Sequence, residues 1–154
     1  QLAFATAAPD EYSSVLRKVA ESGIDLTEIE RRTFGFDTNE ISAVMLVEWG
    51  IPTALADVVY WQRDPEGGGY APDCVQYKLA AGLQLAAQLA ATILSSAGGF
   101  EHVSSLYLRA ATLDIDPDEL RTVSERALLE FRDWAKVVGL PQLASQMLPQ
   151  YCPA

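Results

Sequence analysis

Helix start and stop signals recur along this chain and constrain its fold more than any other feature of the sequence. Acidic residues and proline suit the first turn of a helix, whereas glycine suits the position just beyond the last turn. Asp37 and Glu40 also have the spacing of a capping box, with aspartate in place of serine or threonine. The pattern predicts helices over residues 9–22, 25–35, 38–49 and 116–138, which end at or next to Gly23, Gly35, Gly50 and Gly139.

Further helices are predicted over residues 52–62, 73–97 and 104–111, with a short amphipathic segment at 141–148. In the last long helix, apolar residues recur at three- and four-residue steps and predict one buried stripe. That stripe consists of Leu120, Val123, Ala127, Phe131, Trp134 and Val138. No segment has the regular alternation of a half-buried β-strand. The sequence therefore predicts an all-α fold, a helical bundle.

Residues 64–73 are rich in glycine and proline and are predicted to form a flexible loop. Consecutive glycines can cradle a phosphate, but no strand precedes them and no lysine followed by serine or threonine completes a Walker motif. A phosphate-binding role is therefore not predicted for this loop.

Residues 79–97 are uncharged, and a stretch of 19 residues is long enough to cross a membrane. Four polar residues interrupt this stretch at steps of four, four and three, which places them on one face of a helix. They are Gln84, Gln88, Thr92 and Ser95. The spacing predicts a soluble helix whose polar stripe faces solvent or another polar group, and no membrane span.

The net charge of −10 is spread over the whole chain and disfavours binding to the phosphate backbone of a nucleic acid. Cys74 and Cys152 belong to no paired motif, which is typical of ordinary thiols in a reducing compartment such as the cytoplasm. No basic region precedes the apolar start of the chain, so a signal peptide is not predicted. The first residue is Gln1 rather than methionine, and we expect a processed chain or a fragment of a longer one.

Few residues suited to catalysis are present. His102 is the only histidine, and hydrolytic zinc or iron sites use several imidazole ligands. The chain also lacks the G-x-S-x-G sequence of a nucleophile elbow. The residues alone therefore predict no catalytic residue, no metal site and no cofactor.

The segment from Glu30 to Pro65 carries a more specific pattern. Gly35-Phe-Asp37 precedes one predicted helix, Trp49-Gly-Ile-Pro52 follows it, and Asp64-Pro65 follows the next helix. This pattern resembles the second half of an HDOD domain, the HD-related output domain of bacterial signalling proteins. The resemblance covers about residues 1–97 and implies a helical bundle of the HD type. Residues 98–154 resemble the helical extensions that often follow such domains.

The resemblance also identifies positions that correspond to metal ligands in the HD-type phosphohydrolases to which this family is related. The histidine after Gly-x-Asp would fall at Thr38, the histidine pair at Trp61 and Gln62, and a later aspartate near Ala81. The first histidine and the His-Asp pair would precede Gln1. Because none of these four residues is a good metal ligand, the resemblance implies a domain that is metal-free and not an enzyme.

Two aromatic positions have structural interpretations. Trp49, at a helix end before Gly50, is predicted to be a buried packing anchor. Trp61 is predicted to fill the former metal pocket, with the Gln62 amide offered to a neighbouring helix. The alternative is that Thr38, Trp61, Gln62 and Ala81 line a pocket reused for another ligand.

We therefore expect a cytoplasmic, non-catalytic regulatory or output domain of a bacterial signal-transduction protein that acts through protein–protein contacts. The alternatives are a degenerate HD-type nucleotide phosphohydrolase and a small-molecule sensor that uses the relict metal pocket. The expected partner is another protein or a second copy, and neither a nucleic acid nor a membrane. Because the chain begins inside the resembled domain, we expect uncovered apolar faces around Phe4, residues 38–49 and residues 79–97, and hence an oligomer or a longer chain.

Overall fold

The computed structural model describes residues 1–94 and 100–139, which form eight helices and no strand. The helices are α1 (Leu2–Ala7), α2 (Pro9–Ser22), α3 (Leu26–Phe34), α4 (Thr38–Glu48), α5 (Thr53–Tyr60), α6 (Val75–Leu94), α7 (Phe100–Ala111) and α8 (Pro117–Val137). The predicted all-α fold is confirmed. The predicted end of the alanine-rich helix at Gly98 and the predicted segment at 141–148 lie outside the described residues.

The chain divides into two compact units, and the boundary lies within α6: the first unit is Gln1–Ala80 and the second begins at Ala81. Each unit has its own cluster of buried apolar side chains. The predicted division into residues 1–97 and 98–154 rests on the extent of the family resemblance and stays a prediction.

Most helix boundaries follow the local signals in the sequence. Asp37 Oδ1 accepts hydrogen bonds from the backbone N–H groups of Asn39 (2.7 Å) and Glu40 (3.0 Å). Glu40 Oε2 accepts in turn from the Asp37 N–H (2.7 Å), so the predicted capping box is confirmed. Gly23 and Gly35 follow α2 and α3 with φ angles of 66° and 85°, a left-handed conformation that glycine adopts without steric cost.

Aromatic rings hold the first unit together. Phe4 is 4% exposed, and its ring centroid lies 5.5 Å from that of Tyr12, 4.6 Å from that of Phe34 and 5.6 Å from that of Phe36. No sequence signal predicted α1, whose N-terminus has no side-chain cap. The expectation of an uncovered face at Phe4 was wrong, because the short α1 turns this ring into the core.

The second unit is built around Leu85 of α6, Leu106 and Ala110 of α7, and Leu120 of α8. Buried positions of α8 recur after about two turns each, which places them on one helix face. These positions are Leu120, Leu128 and Ala135.

The predicted stripe on α8 was therefore partly wrong. Its exposed members are Val123, Trp134 and Val138. Apolar residues occupy a wider arc of α8 than its neighbours cover, so the three- and four-residue periodicity alone could not identify the buried part of that arc.

The polar stripe of α6 is satisfied partly within the helix itself. Thr92 is buried, and its hydroxyl donates a hydrogen bond to the Gln88 carbonyl one turn earlier (2.8 Å). Solvent is thus not the partner of this hydroxyl, and Ser95 lies outside the described residues. Among the helices of the described ranges, none is long and apolar enough to cross a membrane.

The revised face of α8 can be tested with two members of the predicted stripe. We expect Leu120→Ala to lower the free energy of unfolding by about 2–5 kcal/mol, because it leaves a cavity in the core of the second unit. Val123→Ala is the control and should change it by less than about 0.5 kcal/mol, since Val123 is exposed. Urea unfolding followed by circular dichroism measures both, and equal effects would contradict the assignment.

Candidate functional site

A buried carboxylate lies where α2, α3 and α4 meet. Glu30 has no exposed surface, and its Oε1 accepts a hydrogen bond from the Tyr12 hydroxyl (3.1 Å). Its Oε2 accepts from the Thr38 backbone N–H at the start of α4 (2.8 Å). The positive end of the α4 dipole and two hydrogen-bond donors thus replace the water that this carboxylate loses on burial.

The Tyr12 hydroxyl remains a donor over the whole neutral range. Burial of the phenol, followed by its hydrogen bond to Glu30 and the negative charge of that carboxylate, raises the pKa of Tyr12 to about 12. The raised pKa means that the neutral phenol is favoured in the folded protein, so stability linked to Tyr12 is lost only as the pH rises from about 10 to about 12.

Asp37 adds a second buried carboxylate next to the first. Its Oδ2 lies 2.7 Å from Arg31 Nη2, an ion pair that leaves Arg31 half exposed. The Arg31 Nε atom also lies 3.6 Å from Glu40 Oε2. The start of α4 is therefore fixed by its cap, by an ion pair to α3 and by Glu30.

The burial of Glu30 was missed in the sequence analysis, although a signal was present. Leu26, Glu30 and Phe34 are spaced by four residues and therefore lie on one face of α3. An acid between two apolar residues on a helix face that packs on the core is a candidate for a buried, hydrogen-bonded carboxylate.

Two of the predicted pocket residues lie close to this cluster. Thr38 is the first residue of α4, and its backbone N–H donates a hydrogen bond to Glu30. Gln62 Nε2 donates a hydrogen bond to Oδ1 of Asn39, the next residue along (3.3 Å). The structure thus brings Gln62 to the beginning of α4, where its amide is bound to another side chain of the protein.

Trp61 lies against the glycine-rich loop that follows it. A Cβ atom added at Gly67 would be 3.0 Å from Trp61 Cζ3, and one added at Gly68 would be 3.1 Å from Trp61 Cγ. The Trp61 ring also meets the Tyr60 ring edge-on at a centroid distance of 4.9 Å. An added Cβ would come closer still to Asp64 Oδ2 at Gly67 and to Tyr70 Cε2 at Gly68 (2.6 Å), so these side chains together with the indole ring favour glycine at both positions.

Hydrogen bonds fix the conformation of the same loop, although its glycine- and proline-rich sequence predicted a flexible loop. The Asp64 N–H donates to the Trp61 carbonyl (3.0 Å), and the Gly67 N–H donates to Asp64 Oδ1 (3.1 Å). Pro65 is fully buried, and the Tyr77 hydroxyl donates to Glu66 Oε1 (3.1 Å). This segment is a packed turn rather than an open phosphate cradle.

Ala81, the fourth predicted pocket residue, is fully buried in α6 and belongs to the second unit. Its methyl group offers no ligand atom. Within residues 1–94 and 100–139, no group of three or more histidine, cysteine, aspartate or glutamate side chains is placed to hold a metal ion. The role of Thr38, Trp61, Gln62 and Ala81 as pocket residues stays a prediction.

The prediction that Trp49 is a buried anchor was wrong. Trp49 caps the C-terminus of α4 and is 70% exposed. It belongs to a set of exposed large apolar side chains on and around α4. The others are Leu2, Phe36, Val44, Met45, Val47, Ile51 and Leu55.

An open groove runs along this exposed side, and we call it the α4 groove. It has a volume of about 610 Å³ and is lined by Leu2, Ala3, Ile41, Met45, Leu46 and Trp49. A second groove of about 440 Å³ shares Ala3, Ile41 and Met45 with it and extends to Phe36 and Val44. The two grooves therefore form one continuous apolar surface.

The contribution of Glu30 can be measured against a second glutamate of the same helix. We expect Glu30→Ala to lower the free energy of unfolding by roughly 3 kcal/mol, because it leaves the Tyr12 hydroxyl and the Thr38 N–H without an acceptor. Glu28→Ala is the control. It removes only an exposed pair with Arg32 and should cost about 0.5 kcal/mol or less. If chemical unfolding gave similar losses of unfolding free energy in the two variants, the Glu30 carboxylate would contribute no more to stability than an exposed glutamate.

The packed loop can be tested by adding single methyl groups. In Gly68→Ala, the new Cβ would lie 2.6 Å from Tyr70 Cε2, and we expect a loss of about 1–3 kcal/mol of stability. Gly82→Ala in α6 is the matched control, since no atom other than those of its chain neighbours and its own helix backbone lies within 4 Å of its added Cβ. This control should gain up to about 1 kcal/mol, because alanine favours a helix interior. A neutral Gly68→Ala in thermal unfolding would mean that the loop is loosely packed.

Comparison with known proteins identifies one family in the first part of the chain. The model of the HDOD domain family matches residues 1–65, which include α1 to α5 and the turn at Asp64-Pro65. No curated protein and no solved structure matches the chain. Residues 1–65 thus match the HDOD domain family, as the pattern from Glu30 to Pro65 predicted.

Proposed function

We propose that this chain is a non-catalytic regulatory or output domain of a bacterial signal-transduction protein and that it acts through protein–protein contacts. The family whose model matches residues 1–65 is associated with signal transduction. Three parts of the proposal go beyond the family match: the absence of catalysis, the action through protein–protein contacts and the cytoplasmic location.

The observation that carries the proposal is the exposed apolar surface of α4. Between Ile41 and Val47, Ser42 is the only polar residue of this helix. A helix that is apolar on all sides is normally buried on all sides. Val44 and Trp49 are nevertheless largely exposed, and exposed apolar patches of this kind mark surfaces that bind other proteins.

The residues at the former ligand positions support a role without catalysis. Threonine, tryptophan, glutamine and alanine stand where the resemblance implies histidines and an aspartate. The Gln62 amide is bound to Asn39, and the half-buried Trp61 ring packs against the glycines of the loop. These contacts favour a binding domain over a phosphohydrolase, and they also leave fewer free groups for a small-molecule sensor.

The proposal predicts that the purified chain neither carries stoichiometric metal nor cleaves nucleotides or cyclic dinucleotides. Elemental analysis measures the metal, and chromatography of the reaction mixtures measures cleavage, with an active phosphodiesterase as the positive control. About one zinc, iron or manganese ion per chain together with cleavage would show a phosphohydrolase instead. A rise in melting temperature that depends on nucleotide concentration would favour the sensor.

A further inference from the structure

We propose that the α4 groove binds a basic amphipathic helix of a partner protein. This inference rests on the proposed function, because it names the chemistry of the partner that such a domain would bind. It depends on three properties of the described residues: the shape of the groove, its lack of charge, and the charge of the surface around it.

The groove has the length and the spacing that a helix requires. Ile41, Met45 and Trp49 follow one another at four-residue steps and form one ridge along the groove. Eight residues of helix extend over about 12 Å, or roughly two turns. A partner helix with apolar residues at positions i, i+4 and i+7 or i+8 would pack against this ridge over the same distance.

The side chains on the floor of the groove carry no charge. The side chains that line it are apolar apart from Ser42 and Gln1. An occupant must therefore present an apolar face, since a buried charge would lack a partner there. Eight large apolar side chains are exposed around α4. For comparison, a standard protein–protein interface buries about 800 Å² of surface on each partner.

The helices that form the apolar surface carry acidic side chains and no lysine or arginine, and Arg31 of α3 pairs with one of these acids, Glu40. Residues 33–62, which contain α4 and α5, include four acidic residues and no lysine or arginine. Glu40 lines the extension of the groove, and Glu48 and Asp57 line the smaller groove of about 220 Å³ between α4 and α5. Glu48 and Asp57 are exposed, and neither forms an ion pair with another described residue.

These charges decide between two kinds of occupant. Two copies of this chain that meet through α4 would bring Glu48 and Asp57 of each copy to the edge of one interface. Like charges at the rim of an interface oppose association, whereas lysine or arginine on a partner would be attracted to them. Charge complementarity thus favours a basic partner helix over a second copy of this acidic chain.

The proposal can be tested with a designed helix as the probe. We would measure the binding of the whole 154-residue chain to a fluorescein-labelled Lys/Leu peptide of about 18 residues, with leucine at helical spacing, by fluorescence anisotropy. A Glu/Leu peptide with the same leucine positions and a scrambled Lys/Leu peptide are the peptide controls. We expect the helical Lys/Leu peptide to bind at least about tenfold more tightly than either control, and more weakly as salt is raised.

Two tryptophans of similar exposure provide a matched pair of protein variants. Trp49 in the α4 groove is 70% exposed and Trp134 on α8 is 66% exposed. We expect Trp49→Gln to weaken peptide binding by about tenfold or more, as for an aromatic anchor at an interface, and Trp134→Gln to change it by less than about twofold. Val44→Gln, also in the exposed apolar surface, should weaken binding without unfolding the chain, which circular dichroism would verify.

Several results would overturn the proposal. They are equal binding of the acidic and basic peptides, equal losses in the two tryptophan variants, and no binding of the Lys/Leu peptide. Sedimentation of a dimer that Trp49→Gln converts to a monomer would assign the groove to a second copy instead. None of these results involves metal or nucleotide cleavage, so a failure here is distinguishable from a failure of the proposed function.

Discussion

The carboxylate of Glu30 joins the helices that the rest of the first unit depends on. It is buried, and its two oxygens accept hydrogen bonds from the Tyr12 hydroxyl of α2 and from the first N–H of α4. Both donors must be in place, since an unsolvated carboxylate is costly in the interior. This requirement fixes where α4 begins relative to α2 and α3, and the Asp37 cap then fixes its first turn.

A fixed α4 determines which apolar side chains remain exposed. α4 packs against α3 and α5, and Ile41 lies against the aromatic core around Phe4. The helix has more apolar surface than these neighbours cover, because residues 41–47 are apolar apart from Ser42. The remaining face, which ends at Trp49, is the α4 groove. The same physical constraint that stabilises the fold thus presents the surface to which we assign the function.

Trp61 and Gln62, two of the predicted pocket residues, contribute to packing and hydrogen bonding. The Trp61 ring packs closely against the backbone of Gly67 and Gly68 in the adjacent turn. Gln62 links the segment after α5 to Asn39 at the start of α4. A hydrogen-bonded amide and a packed indole both lower the free-energy cost of burying polar and aromatic groups.

The sequence by itself determined the helical class and the family match of residues 1–65. It also determined the capping box at Asp37 and the glycine ends of α2 and α3, because caps and turns depend on a few neighbouring residues. It also contained the four-residue spacing that places Glu30 on the apolar face of α3. Only the tertiary structure decided which apolar residues are covered: Trp49 and Val123 are exposed although the pattern predicted burial. The physical reason is that burial depends on the helices that pack against a residue, and periodicity along one helix does not specify how much of an apolar arc its neighbours will cover.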